Sequence, residues 1–294
     1  MSGLTSACRV DLSCYLRKVS IPIRSEESSA LCKAPRDCFT ADSASLEISL
    51  PKVSSRSRSP ELKNESDLLV RPRAVVSLSG GMDSSVCVAL AAKDYDVYAL
   101  HFSYGQRTEQ RELTSARSIA DVVGVRQFFP LKIDLFRQIG GSALTDVNIS
   151  VPHAPTTRTI GEEIPVTYVP FRNAHFLSAA VSWAEVLGAH AIFIGAVEQD
   201  SSGYPDCRPA YYAAFQKVIE TGTKEGKIQI HTPLIHMKKS EIIRLGVELR
   251  APFHLTWSCY SGEDRACGVC DSCVLRLRAF AEAHVTDPIP YVGS

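Results

Sequence analysis

Two groups of residues in this chain have the types and spacing to do chemistry. The first is Ser79-Gly80-Gly81-Met82-Asp83-Ser84-Ser85. An apolar run ending at Leu78 leads into it, and an apolar helical pattern over residues 86–92 leads out. That order reads as a strand, a tight glycine turn and a helix start. Paired glycines let the backbone turn sharply and approach a ligand. Consecutive N–H groups there form an anion-binding concavity, and the helix start adds its own N–H groups and positive dipole end. The hydroxyls of Ser79, Ser84 and Ser85 add donors. Asp83 can cap the helix or hold a metal ion such as Mg2+. The segment from Leu78 to Ser85 thus suits a phosphate chain, against the competing reading of an ordinary capped βα turn. No Gly-Lys-Ser/Thr follows the glycines, so it is not a Walker A loop.

The second group is Cys259, Cys267, Cys270 and Cys273, spaced C-x7-C-x2-C-x2-C. Thiolates at this spacing converge on one ion, and four of them complete a tetrahedral Zn2+ site with no open position, which makes the site structural. An iron–sulfur cluster is the alternative. Gly262 and Gly268 supply turns between the ligands.

These groups need elements to position them. Residues 74–78, 96–102, 126–133 and 189–195 read as strands. Residues 112–123 and 173–187 read as helices between them. This alternation predicts an α/β fold, a Rossmann-like parallel sheet with helices on both faces, plus a small C-terminal four-cysteine zinc loop. Ligands of such sheets bind beyond the carboxyl ends of the strands, where the glycine turn lies. The expected domain covers residues 71–288, with the zinc region at 257–275 and a short tail at 289–294.

Residues 1–70 differ. They are Ser-rich, lack a sustained period, and include Ser54-Ser55-Arg56-Ser57-Arg58-Ser59-Pro60. The composition predicts a mostly disordered extension. A transit peptide is a second reading, since Arg9, Arg17, Lys18 and Arg24 face only Asp11 in the first 25 residues. A misplaced start is a third. An apolar fraction of 45%, a charged fraction of 22% and a net charge of +0 describe a globular protein with no global pull toward nucleic acid or an anionic membrane. Of ten cysteines, four fall between Cys259 and Cys273, which suits metal and a reducing compartment. The expected location is the cytoplasm, with an organellar transit peptide as the alternative.

The turn Ser-Gly-Gly-x-Asp-Ser resembles the pyrophosphate loop of the adenylating ATP pyrophosphatases. Further segments narrow the likeness: Ser103-Tyr104-Gly105-Gln106-Arg107, Pro165-Val166-Thr167-Tyr168-Val169-Pro170-Phe171-Arg172-Asn173, Gly203-Tyr204-Pro205-Asp206-Cys207-Arg208, and the four cysteines. Together they resemble the 7-cyano-7-deazaguanine synthases of the queuosine pathway, over about residues 74–283. Ser103 stands where that family's motif has Asp. The resemblance implies an ATP-dependent C–N ligase that converts 7-carboxy-7-deazaguanine and ammonia to the 7-cyano compound through an activated carboxylate and an amide. It implies ATP, Mg2+ and Zn2+, small-molecule substrates, no nucleic-acid or membrane partner, and a homodimer as the candidate assembly. Two alternatives stay open: another adenylating enzyme, such as a tRNA thiolase or a GMP synthetase-like amidotransferase, and a zinc-ribbon binding module without turnover.

Arg172 and Arg208 sit just past strand ends, where a guanidinium can pair with carboxylate or phosphate. With Asp83 they are the candidate catalytic groups; surface solvation is the plain alternative for the arginines. Asn173 can read a base edge or cap its helix. Asp206, Asp200 and Glu198 can accept from guanine-like N–H groups or simply face solvent. Tyr204 can stack or pack, and Cys207 is expected in a pocket wall. Gln106 and Arg107 are expected at the nucleotide, and Lys238 and Lys239 at the phosphates or in solvent. His101 and His231 read as strand or core residues.

Overall fold

Burial with a period of two builds the sheet. In β1 (Arg73–Ser77), Ala74 and Val76 join one core and Val75 the other, and all three are fully buried. A strand apolar on both faces is what a parallel sheet between two helix layers requires. The structure, a computed structural model, describes residues 71–153, 164–198 and 203–293. The extension expected over residues 1–70, and Asp200, lie outside the described residues. The other strands are β2 (Asp96–Ser103), β3 (Gln127–Lys132), β4 (Ala191–Ile194) and β5 (Gln229–His231). Their order is β3-β2-β1-β4-β5, with every pairing parallel. Val75 pairs with Tyr98 on one side and Ile192 on the other. The chain winds outward from β1 to β3, then crosses back to lay β4 on the free side of β1. The winding direction therefore reverses between β1 and β4, and a crevice opens at their carboxyl ends.

Among the described residues, seven α-helices flank the sheet: α1 (Met82–Ala91), α2 (Glu109–Val123), α3 (Leu135–Ile139), α4 (Arg172–Leu187), α5 (Pro209–Gly222), α6 (Lys239–Glu248) and α7 (Asp271–Ala283). Val86, Ile119, Ile242 and Phe280, from α1, α2, α6 and α7, pack with Val76 and Phe193 on one face. Phe136, Ala184 and Ile219, from α3, α4 and α5, pack with Val75, Leu100 and Ile192 on the other. Helix α2 starts three residues before the expected 112, and Gly124 ends it in the left-handed region at φ 75°. Among the described residues, no helix is long and apolar enough to cross a membrane. Residues beyond 288 are tied down: Ala266 donates to the Pro290 carbonyl, Val292 donates to the Ala266 carbonyl, and Ile289 is buried.

Candidate active site and metal centre

The glycine turn lies at the carboxyl end of β1. Gly80 has φ +89°, and a Cβ there would sit 2.5 Å from the Glu112 carbonyl oxygen and 2.9 Å from the Ala116 amide nitrogen. Glycine alone lets the turn rest on the backbone of α2. From elsewhere in the chain, the Trp257 N–H donates to the Gly80 carbonyl at 2.8 Å. A Cβ on Gly195, just past β4, would lie 3.0 Å from backbone atoms of Asp83 and Ser84, so the end of β4 abuts the first turn of α1.

A cavity of about 310 Å³ opens beside this turn. Ser79, Gly81, Met82, Asp83 and Ser84 line it from the turn. Three residues expected with them do not. Leu78 and Ser85 are fully buried and Gly80 rests on α2, because a turn this tight alternates its residues between cavity and core. The Ser79 and Ser84 hydroxyls lie 3.0 Å apart, and Ser84 Oγ donates to the Gly81 carbonyl at 3.0 Å. Lys239 Nζ, at the start of α6, reaches Asp83 Oδ2 at 2.8 Å, while Asp83 Oδ1 is buried with no partner among the described residues. The turn thus presents helix-start N–H groups, two hydroxyls, an ammonium and a carboxylate oxygen to one space.

Gln106 and Arg107 line the same cavity, but their polar atoms serve the protein. Gln106 Oε1 accepts the Tyr104 N–H at 2.8 Å, and its Nε2 donates to Glu112 Oε2 at 3.1 Å. The Arg107 guanidinium donates to the carbonyls of Ala143, Asp146 and Ile149 at 2.7, 3.2 and 2.7 Å. Both brace loops around the cavity. Ser103, where the likeness departs, is buried and does not line the cavity.

Arg172, at the start of α4, faces the cavity within an aromatic box. Its Nη1 donates to Tyr104 Oη at 2.7 Å, and its guanidinium carbon lies 5.3, 5.6 and 5.8 Å from the rings of Tyr104, Phe176 and Tyr204. Such stacking stabilises the cation. Tyr204 Oη is anchored on Thr167 Oγ1 at 3.1 Å. Cys207 forms part of the wall, and burial pushes its thiol up to about 11.

Two residues expected in a substrate pocket are elsewhere. Asp206, 3% exposed, does not line the cavity. Its Oδ2 accepts the Asn173 N–H at 3.0 Å, and its carbonyl accepts Asn173 Nδ2 at 3.0 Å. It therefore satisfies an unpaired donor at the start of α4 and holds the turn that presents Arg172. Arg208 is exposed and outside the lining, in the extended residue just before Pro209 opens α5. Glu198, exposed, donates its N–H to the Ile235 carbonyl. His101 is buried, with Nδ1 2.9 Å from the Leu78 carbonyl oxygen, and burial lowers its pKa. His231 stacks on Phe193 at 4.7 Å. Lys238 carries the capping of α6, its N–H donating to Glu241 Oε2 at 2.8 Å.

Glu112 is a cavity residue that the sequence did not reveal. Its carboxylate accepts Gln106 Nε2 and, at 2.9 Å, Thr108 Oγ1. Burial raises its pKa to about 7, against the opposing pull of those two hydrogen bonds and of Arg172. A surface-type Glu in a charged helix start carries no sequence signal; only the contact of α2 with Gly80 brings it inward.

The four cysteines meet as a cluster with all Sγ atoms within 4.8 Å of one another. Four Zn–S bonds of about 2.3 Å make a tetrahedron with edges of about 3.8 Å. The Cys267–Cys273 Sγ separation is 3.9 Å, so the cluster fits a single ion of that size. Hydrogen bonds from the Cys270 and Cys273 thiols, with backbone N–H groups of Cys267 and Gly262, hold the Cys259 thiol far below its usual range. The cluster is joined to the glycine turn. Trp257 Nε1 donates to the Gly262 carbonyl at 2.9 Å, and Arg111 of α2 stacks on the Trp257 ring at 4.5 Å. Thr108 Oγ1 donates to the Cys259 carbonyl at 3.2 Å. Behind it, buried Arg276 pairs with Asp287 through contacts of 2.7 and 2.8 Å.

Comparison with known proteins places this site in a family. The family model described as "Queuosine biosynthesis protein QueC" matches residues 73–284. A "7-cyano-7-deazaguanine synthase" of Acidobacterium capsulatum is 72% identical over 222 residues, covering 75% of this chain and 97% of that one. Proteins with the same description from Koribacter versatilis and Chlorobium phaeobacteroides are 61% and 58% identical, each over 74% of this chain and over 93% and 96% of their own length. These matches do not favour the thiolase, amidotransferase or zinc-ribbon alternatives. A parallel sheet with a glycine turn at the carboxyl end of β1, a four-cysteine cluster and relatives this similar lead to one conclusion: the chain belongs to the QueC family of queuosine biosynthesis proteins.

Proposed function

We propose that the chain is a 7-cyano-7-deazaguanine synthase, which converts 7-carboxy-7-deazaguanine, ammonia and ATP to the 7-cyano compound. One observation carries the reading: an anion-cradling turn and a guanidinium in an aromatic box face the same cavity. A carboxylate resists attack by ammonia because its oxygen leaves poorly. ATP, a substrate here, supplies an adenylyl group that turns that oxygen into part of a good leaving group. Ammonia then gives the amide, and a second activation lets the amide oxygen leave as the nitrile forms. This chemistry asks the protein for positioning and charge neutralisation rather than a covalent nucleophile.

In this reading, N–H groups of the turn from Gly81 to Ser84 and the hydroxyls of Ser79 and Ser84 hold phosphate oxygens. Lys239 offsets their charge, and Asp83, whose Oδ1 has no partner among the described residues, would hold a Mg2+ ion, which would supply further positive charge against the phosphates. Arg172 pairs with the substrate carboxylate. Tyr104, Phe176 and Tyr204 flank the heterocycle, and Asn173 meets its edge. Cys259, Cys267, Cys270 and Cys273 hold a structural Zn2+ that keeps the segment carrying Trp257 against Gly80. Asp206 positions α4, and Arg208 has no catalytic role. The enzyme works on small molecules alone, in the cytoplasm, as a homodimer, and residues 1–70 are dispensable for turnover. The test is AMP release by purified protein with ATP and ammonium. Release that requires 7-carboxy-7-deazaguanine supports the reading; release indifferent to it, or none, contradicts it.

A further inference from the structure

Of the reactants in the proposed synthesis, ATP and the deazapurine acid are anions and ammonium is the one cation. Glu112 places a carboxylate in the cavity that must hold all three. Its charge repels the two anions and attracts the third. A carboxylate offers about four acceptor sites. Gln106 Nε2 takes one on Oε2 at 3.1 Å and Thr108 Oγ1 one on Oε1 at 2.9 Å, so both oxygens keep acceptor capacity and are fixed in place. The cations nearby are already engaged: Lys239 with Asp83 at 2.8 Å, and Arg172 in part with Tyr104 Oη at 2.7 Å.

We propose that Glu112 binds ammonium and accepts its proton, releasing ammonia to attack the activated carboxyl carbon. The inference rests on the synthase reading above. In the step, an N–H bond of ammonium breaks and its proton moves to a Glu112 oxygen. The nitrogen lone pair forms the C–N bond, and the bond from the carbonyl carbon to the AMP oxygen breaks. The second proton lost from nitrogen leaves with the AMP phosphate. Burial raises the Glu112 pKa to about 7, so the group takes a proton far more readily than an exposed glutamate. The titratable groups that face it are Glu109 on its own helix, Tyr104 on the preceding loop and Arg172 from α4. Asp83, Lys239 and Arg276 line the same cavity from α1, α6 and α7.

The experiment compares ammonium with hydroxylamine, a free base at neutral pH that needs no proton acceptor before attack. Wild type should convert the activated acid to the hydroxamate with hydroxylamine and to amide and nitrile with ammonium. Glu112→Gln should keep hydroxamate formation within a few-fold and lose ammonium use by about 10²–10⁴-fold. At fixed total ammonium, the wild-type rate should level off above about pH 7. The Glu112→Gln rate should keep climbing to the pKa of ammonia itself. Ammonium use by Glu112→Gln near the wild-type rate overturns the proposal. If the variant loses both nucleophiles, the wild-type profile decides alone: a rate that climbs through pH 7 without levelling overturns it. Absence of hydroxamate from wild type would instead contradict the synthase reading.

Discussion

Replacing Gly80 with alanine should damage the protein far more than replacing its neighbour Gly81. At Gly80 the backbone has φ +89°, and a methyl would meet the Glu112 carbonyl oxygen at 2.5 Å and the Ala116 nitrogen at 2.9 Å. Holding an L residue in that region costs about 1–3 kcal/mol. Pushing a methyl into a packed helix backbone costs about 1–3 kcal/mol more. At Gly81 φ is −82° and the closest atom to a new Cβ is Ser79 Oγ at 3.4 Å, an ordinary contact. Both substitutions gain the same roughly 0.4–1 kcal/mol from a stiffer unfolded chain, which cancels in the comparison. Gly80→Ala should therefore be less stable than Gly81→Ala by about 2–6 kcal/mol. Urea unfolding of the two metal-loaded proteins, extrapolated linearly, reads this difference. Since Gly81 lines the cavity, Gly81→Ala should stay folded yet lose ATP-dependent AMP release. Equal stabilities within about 1 kcal/mol would refute the account of why Gly80 is glycine.

Arg172→Ala should raise the KM for the deazapurine acid about 30-fold or more while leaving that for ATP nearly unchanged, since losing a buried charged partner costs about 2–5 kcal/mol; a shift in the ATP constant instead would move Arg172 to the nucleotide. Elemental analysis should find about one zinc per chain, and its removal should raise amide exchange at Trp257 and Gly80 as well as around the cysteines. A stripped protein with unchanged exchange at Gly80 would deny the link between metal and turn. Glu112 also makes stability pH-dependent. Its folded pKa of about 7 lies above the 4.5 of a free glutamate, so its contribution is full below pH 4.5 and is lost as pH rises to about 7. Against Glu112→Gln, wild type should lose up to about 3 kcal/mol across that window, and a constant gap would contradict the burial of this carboxyl.

The sequence revealed the parts of the fold whose signals are local. The glycine turn stood out because a strand, paired glycines and a helix start are contiguous from residue 74 to residue 92. The central strands stood out because burial on both faces demands apolar runs such as Ala191–Ile194. Strand β5, only Gln229–His231, is too short and too polar to carry a pattern. The first turn of α2 was missed because Glu109, Gln110 and Arg111 give no apolar period. The four cysteines were legible since their spacing is itself the constraint. The substrate wall was less so: Arg172, Asp206 and Arg208 look alike in sequence as charged residues near strand ends. The fold sends Arg172 into the aromatic box, uses Asp206 to cap α4, and leaves Arg208 at the surface. Gln106 and Arg107 line the cavity, but the sequence did not show that Glu112, six residues along on α2, and carbonyls of the loop at Ala143 and Ile149 take their donors.

The central claim is that this chain makes a nitrile from a carboxylate and ammonia. Purified protein incubated with ATP, 7-carboxy-7-deazaguanine and ¹⁵N-labelled ammonium tests it in one mass spectrum. The account predicts a 7-cyano product that carries the heavy nitrogen, formed together with AMP. A product that stops at the adenylate or the amide, or a nitrile without the label, would contradict it.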